Sequence, residues 1–400
     1  MQLGHEQSSV YRLSSAVQHY AWGSCRDGEQ QPYIAQLLGE DAPQQQPYAE
    51  LWIGAHPKLP SQVHVSAQTR QRLDQFIAAN QRAVLGDKLV AAGILSLPFL
   101  LKVLSSAKPL SIQAHPDRQL AQKLHARDPQ HYPDANHKPE IALSLLGLNA
   151  MCQFRELAAI EADRQRLQSL RNFFAAVTDK PSLQNAYARV FAADDDAIDA
   201  VLDALAAELM ALPPARQQAP DKLFLRLLQI YAGDRGTLSA YFLNELNLDP
   251  GQAVFLGPNQ PHSYLHGTII ECMANSDNVV RAGLTDKFID QDVLLQMLSY
   301  ETGMPSIILP EPGAADEVLY PVPVADFMLR RWSGAADRQV NNDGMVALLL
   351  VLAGKMTLTD ANGRKFDAER GSAWLWPAAT PQLQLQLTGD ADVVCVQPNL

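Results

Sequence analysis

Cysteine is scarce in this chain: four in 400 residues, at Cys25, Cys152, Cys272 and Cys395. None lies in a C-x-x-C pair, so neither a disulfide framework nor a zinc finger is expected. Cys272 and Cys395 sit in apolar runs and read as buried thiols. Long hydrophobic runs are also missing. A stretch such as Met345–Ala353 is too short to span a bilayer, and no membrane partner is expected. The stretch from Met1 to Leu13 has no apolar h-region and no basic n-region, which points to a cytoplasmic protein. Positive charge is in deficit, with 32 Lys and Arg against 43 Asp and Glu and a formal net charge of −11. That balance argues against nucleic acid and anionic membranes as partners. There is no G-x-x-x-x-G-K-[ST] loop and no G-x-G-x-x-G fingerprint, which argues against a nucleotide held by a glycine-rich loop.

What is present falls into three textures. At 400 residues and 47% hydrophobic composition, the chain should form more than one unit, because single cores stop growing at about 250–300 residues. Residues 1–155 alternate short apolar runs with turn residues and read as strands, with a helical insert near Arg70–Leu89. Residues 156–248 carry Leu, Ile and Val at helical spacing, and glycine is absent from 156 to 232. They read as a helical module. From Pro250 onward short strands return. The expected architecture is mainly β: a discontinuous catalytic domain over 1–155 and 249–320, a helical insertion over 156–248 and a C-terminal β domain over 321–400. The close spacing of the strands suggests a sandwich or jelly roll.

One segment carries the chemistry. In Ser111-Ile112-Gln113-Ala114-His115, residues 113 and 115 alternate along a strand-like run and face the same way. Glu140 enters the apolar run Ile141-Ala142-Leu143, where a lone carboxylate needs a partner. His262 follows Pro261 and reads as the end of a strand or a loop. A glutamine oxygen, two imidazoles and a carboxylate make a plausible zinc site with room for substrate. His266 could pair with His262 at helical spacing, but Pro258 and Pro261 disfavour a helix there. Lys102, Lys138, Arg281 and Lys287 lie within or beside these segments. Cations turned inward in an acidic protein suggest an anionic ligand.

These motifs, in their order, resemble those of the type I phosphomannose isomerases. The resemblance rests on Leu97–Leu104, Pro109–Asp117, Asn136-His137-Lys138-Pro139-Glu140, Gly257–Tyr264 and Glu271–Thr285, with Tyr20-Ala21-Trp22-Gly23 and Glu50–Gly54 near the start. Ala21 and Asp286 depart from the pattern of some relatives. The resemblance implies a cupin-type β fold with a helical insertion. It implies one zinc per subunit, held by Gln113, His115, Glu140 and His262, and reversible conversion of mannose 6-phosphate to fructose 6-phosphate. Arg281 is then the first candidate for a catalytic cation, and Lys138 or Glu271 for moving protons. Ser111, Lys102 and Lys287 are candidates for the phosphate, and Trp22 and Tyr264 for the sugar. A monomer or weak oligomer is expected, with a small sugar phosphate as its partner. The alternatives are a sugar-phosphate-binding cupin without turnover and an isomerase for another phosphorylated sugar.

Overall fold

The computed structural model describes residues 8–400. Met1–Gln7, part of the N-terminal stretch read above, lie outside the described residues. Two large antiparallel sheets of 10 and 11 strands make up the β structure. The 10-stranded sheet carries, side by side, Ala253–Leu256, Glu140–Phe154, His262–Ala274, Phe99–Ser106 and Glu50–Gly54. Short strand Ile112–Ala114 pairs with the beginning of His262–Ala274, and Val280–Gly283 pairs in turn with it.

The sheets pack back to back because their strands alternate. Leu51, Ile53, Leu101, Val103, Ile141, Leu143, Ile270 and Cys272 leave one face of the 10-stranded sheet. They join Leu348, Leu350, Leu375, Val394 and Val396 of the 11-stranded sheet in one apolar cluster. Each such side chain, fully buried, contributes about 1.5–3 kcal/mol of transfer free energy. The intervening residues point the other way. In the 11-stranded sheet they are Leu349, Val351, Trp374, Trp376, Val393 and Cys395, which with Trp332 fill a second apolar interior. In the 10-stranded sheet several of them are charged, and they line a cavity.

Helices Leu157–Arg166, Gln168–Phe173, Lys180–Ala192, Asp195–Met210 and Ala219–Ile230 form the helical region. Asp179 and Asp194 cap the third and fourth by accepting from backbone N–H groups of the first turn. Ile198, Val201, Leu202, Leu205 and Leu209 make the buried stripe of the longest helix. The helical core is continuous with Ile112, Ala114, Val280 and Ala282. The helices therefore brace the back of the two short strands whose other faces carry Gln113 and Arg281.

Several expected boundaries differ from those observed. Tyr11–Ser14, Gln62–His64 and Arg70–Arg72 belong to the sheet of the C-terminal strands, with Tyr11–Ser14 paired to Ala373–Trp376. Residues 1–155 thus serve both sheets. Leu243–Leu248, read with the helices, is a strand beside Glu140–Phe154. At the other end, Ile307–Ile308 still pairs in the cavity sheet, whereas Glu311–Pro312 already pairs in the other. Texture along the chain does not report such long-range pairing. The insert read at Arg70–Leu89 begins as strand Arg70–Arg72 and continues as helices Leu73–Ala79, Gln81–Leu85 and Asp87–Ala91. Its break at Gly86 (φ 97°) needs glycine, because a Cβ there would strike the Gly344 carbonyl. Among the described residues no helix is long and apolar enough to cross a membrane.

Candidate functional site

Register builds the site. Gln113 lies opposite His262 on one side and Arg281 on the other. Directly opposed residues of antiparallel strands share a face, so these three side chains stand in a row. His115 follows the end of Ile112–Ala114, and Glu140 opens its strand opposite Met273 and Leu256. Ligand atoms of His115, Glu140 and His262 all lie within 4.8 Å of one another. His115 Nε2 is 3.4 Å from Glu140 Oε1, and His262 Nε2 is 3.5 Å from Glu140 Oε2. All three residues are buried.

Both imidazoles are oriented from behind. His115 Nδ1 lies 2.7 Å from the Asn278 carbonyl and His262 Nδ1 3.0 Å from the Gln260 carbonyl. A carbonyl only accepts, so each Nδ1 donates to it and each Nε2 is turned toward Glu140. Burial and the neighbouring Lys138 push the His115 pKa down to about 4, keeping the ring neutral. Burial opposes ionisation of Glu140. Lys138, 3.1 Å away, and His115 outweigh it and hold the carboxyl well below its usual range. His115 Nε2, His262 Nε2 and Glu140 Oε2 have no hydrogen-bond partner. Buried polar atoms are almost always satisfied. Two imidazole nitrogens and a carboxylate oxygen converging without donors fit a divalent cation such as zinc, with Gln113 opposite His262 on the neighbouring strand.

Gln113 and Glu140 face a cavity of about 820 Å³ lined by residues of both sheet and loops. Trp22, Lys102, Ser111, Lys138, Tyr264, Glu271, Arg281 and Lys287 all line it, so every candidate from the sequence is brought together. Their electrostatic states differ. Lys102 Nζ donates to Glu271 Oε2 at 2.9 Å, lies 3.6 Å from Glu50 Oε1 and sits over the Trp52 ring. Burial disfavours its charge, but Glu271 and Glu50 keep it protonated. Its ammonium is already committed to two carboxylates, which weakens its expected part in phosphate binding. Burial and the Glu140 charge raise the Glu271 pKa above the usual carboxylate value, against the pull of Lys102. Tyr264 is likewise raised by burial and by Glu271, so its hydroxyl stays a donor. Arg281 is half-buried, and its pKa is lowered by burial alone. Arg281 and exposed Lys287 make no ion pair among the described residues. The Ser111 hydroxyl donates only a long 3.4 Å hydrogen bond to Gln113 Oε1, and Trp22 stacks on Tyr20. His266 points outward and is exposed.

Sequence reasoning missed Glu50, which accepts from Trp52 Nε1 at 2.8 Å and shares Lys102. The signal was available, since Glu50 interrupts the apolar run Ala49–Ile53 as Glu140 does its own. It also missed Asp277, whose carboxylate holds Lys58 at 2.8 Å and His56 at 3.4 Å at the cavity wall. From the helical region Tyr231 reaches the cavity, its hydroxyl donating to the Pro109 carbonyl.

A model of the family "Phosphomannose isomerase type I, catalytic domain" matches residues 10–157. Mannose-6-phosphate isomerase of Homo sapiens is 37% identical over 417 residues, covering 96% of this chain and 97% of the human protein. That of Saccharomyces cerevisiae is 33% identical, covering 98% and 100%. Among solved structures, an arginine-to-alanine mutant of phosphomannose isomerase from Salmonella typhimurium is similar, with TM-score 0.87, 32% identity and coverage of 98% and 100%. A zinc-bound mannose 6-phosphate isomerase matches with TM-score 0.87 and 31% identity over the same shares.

Proposed function

This chain belongs to the type I phosphomannose isomerase family, and we propose that it interconverts D-mannose 6-phosphate and D-fructose 6-phosphate with one zinc ion held by Gln113, His115, Glu140 and His262. The observation that carries the reading is the convergence of three buried, unpartnered ligand atoms. Bound zinc would supply Lewis acidity toward the C1 and C2 oxygens of the open-chain sugar.

The rest falls to the chain's own residues. Isomerisation moves a proton between C2 and C1 through an enediolate, so a base must take the proton and return it. Glu271 suits that role, because burial raises its pKa above the usual carboxylate value and so makes it a stronger base than an exposed carboxylate. Lys102 holds it in place at 2.9 Å. Lys138, paired with Glu140, is the second candidate for proton handling. Arg281 is too strong a cation to act as base. Its unpaired charge faces the cavity, where it would stabilise the developing oxyanion. Lys287 and Ser111 are left for the phosphate. Trp22 offers a ring to the sugar face, and Tyr264 a hydroxyl donor.

The test is a coupled assay for fructose 6-phosphate formed from mannose 6-phosphate, repeated in heavy water. Turnover with deuterium appearing in the product supports proton transfer through an enediolate. Turnover that Glu271→Gln leaves unchanged would remove the Glu271 step. Tight binding of mannose 6-phosphate with no turnover would move the assignment to a binding protein, and turnover only with other aldose phosphates would change the substrate.

A further inference from the structure

Asp134 takes no part in the scheme above, yet four hydrogen bonds converge on its carboxylate. Oδ1 accepts from Asn136 N at 2.9 Å, Ser276 Oγ at 2.8 Å and Asn278 Nδ2 at 3.1 Å. Oδ2 accepts from Asp277 N at 2.8 Å. Three of these donors come from 276–278, the segment that enters Val280–Gly283 and carries Arg281. The fourth comes from the segment that runs on through Lys138 to Glu140. One side chain thus ties the two halves of the site to each other.

The tie ends at the metal cluster. The Asn278 side chain is fully buried, and its Nδ2 also donates to the Asp134 carbonyl at 2.7 Å and the Asn136 carbonyl at 2.9 Å. With its amide held on three acceptors, residue 278 cannot rotate, and its own carbonyl stays 2.7 Å from His115 Nδ1. That carbonyl sets which nitrogen of His115 faces Glu140 and His262. We propose that Asp134 is a positioning residue for the metal centre: its carboxylate fixes the Asn278 carbonyl, and through it the tautomer and aim of His115, while holding the start of the Arg281 strand. The inference rests on the zinc reading above and adds a residue to it that touches neither metal nor substrate.

The carboxylate matters as an acceptor on both oxygens. Asp134→Asn keeps the shape but turns one acceptor into an NH2 group facing an existing N–H or O–H donor. The fold should tolerate the change, because Asn275 N still bonds the Pro98 carbonyl and Asp277 still pairs with Lys58.

The experiment compares the parent, Asp134→Asn and the milder Ser276→Ala, which removes one donor to Asp134 together with the hydroxyl that accepts from the Asn278 N–H. Zinc affinity is measured by competition with a chromogenic chelator, metal geometry by the visible absorption of the cobalt(II)-substituted protein, and folding by thermal melting of the metal-free form. Loss of a residue that orients a metal ligand costs about 10–100-fold in metal affinity. That loss is expected for Asp134→Asn, with displaced cobalt bands and kcat reduced more than KM is raised. Ser276→Ala should change the same readouts in the same direction by less. Zinc affinity and cobalt bands within twofold of the parent in the folded variants, with only the melting temperature lowered, would overturn the proposal. If Asp134→Asn does not fold, Ser276→Ala decides alone by the same criterion. A parent that takes no zinc from the chelator would overturn the metal reading and this inference together, whereas a zinc-binding parent with unaltered variants overturns this inference only.

Discussion

The two β regions of this molecule follow the same alternation and end in opposite interiors. Around Trp332, Trp374 and Trp376 the inward positions are apolar, and the space is filled. In the 10-stranded sheet the corresponding positions carry Glu50, Lys102, Glu140 and Glu271, and the space is a cavity of about 820 Å³. The back faces of both regions are equally apolar and pack on each other. Periodicity and burial therefore make the fold in both, and the chemistry depends on which inward residues are ionisable. Each buried carboxylate in the cavity sheet has a stated cation: Lys102 for Glu50 and Glu271, Lys138 for Glu140. The pattern leaves Arg281 as a half-buried cation with no such partner.

The largest expected effect breaks the charged interior at its centre. Glu140→Ala should lower zinc affinity by more than the roughly 100-fold upper bound for a ligand-orienting contact and take turnover to background, as read by chelator competition and the coupled assay. Next comes Lys102→Met. It leaves Glu50 and Glu271 facing each other without their shared cation, and removing one partner of a buried pair costs about 3–5 kcal/mol. Urea unfolding of the metal-free protein should show that loss, together with reduced kcat. The matching change in the filled interior is Leu349→Ala. It should cost about 2–5 kcal/mol through the cavity it leaves, with kcat and KM unchanged. If Leu349→Ala impaired catalysis as much as Lys102→Met at equal stability, the division between the two interiors would fail.

The smallest effect concerns pH. Burial raises the Asp277 pKa, but hydrogen bonds from His56 and Lys58 outweigh it and hold the carboxyl well below its usual value. Its folded pKa lies under its unfolded one. The stabilisation is then present above the unfolded carboxyl pKa of about 4 and disappears as pH falls through the lower folded value. Asp277→Asn should be about 1–2 kcal/mol less stable than the parent at pH 7, the gap closing toward pH 2 in denaturant titrations.

Much of the site was legible because its signals are local. Gln113 and His115 alternate in one short run, Glu140 and His262 sit at strand starts marked by proline, and the residue types suit zinc. Arg281 stood out as a cation after two valines. Glu50 was legible in principle by the argument that exposed Glu140, a charge inside an apolar strand, but its partner Lys102 is set by the pairing of Trp52 with Lys102 across two strands. Asp134 and Asn278 could not be read, because their importance lies in loop-to-loop hydrogen bonds separated by 144 positions. The same limit hides the pairing of Tyr11–Ser14 with Ala373–Trp376. Periodicity tells which way a residue faces within its strand, and only the closed structure tells which strand lies beside it.

The most direct test is a zinc titration of metal-depleted protein in which bound metal and mannose 6-phosphate turnover are measured on the same samples. The account predicts activity rising in proportion to bound zinc, with a break at one ion per chain that Glu140→Ala abolishes. Full turnover before any zinc is added, or an unchanged break in Glu140→Ala, would contradict it.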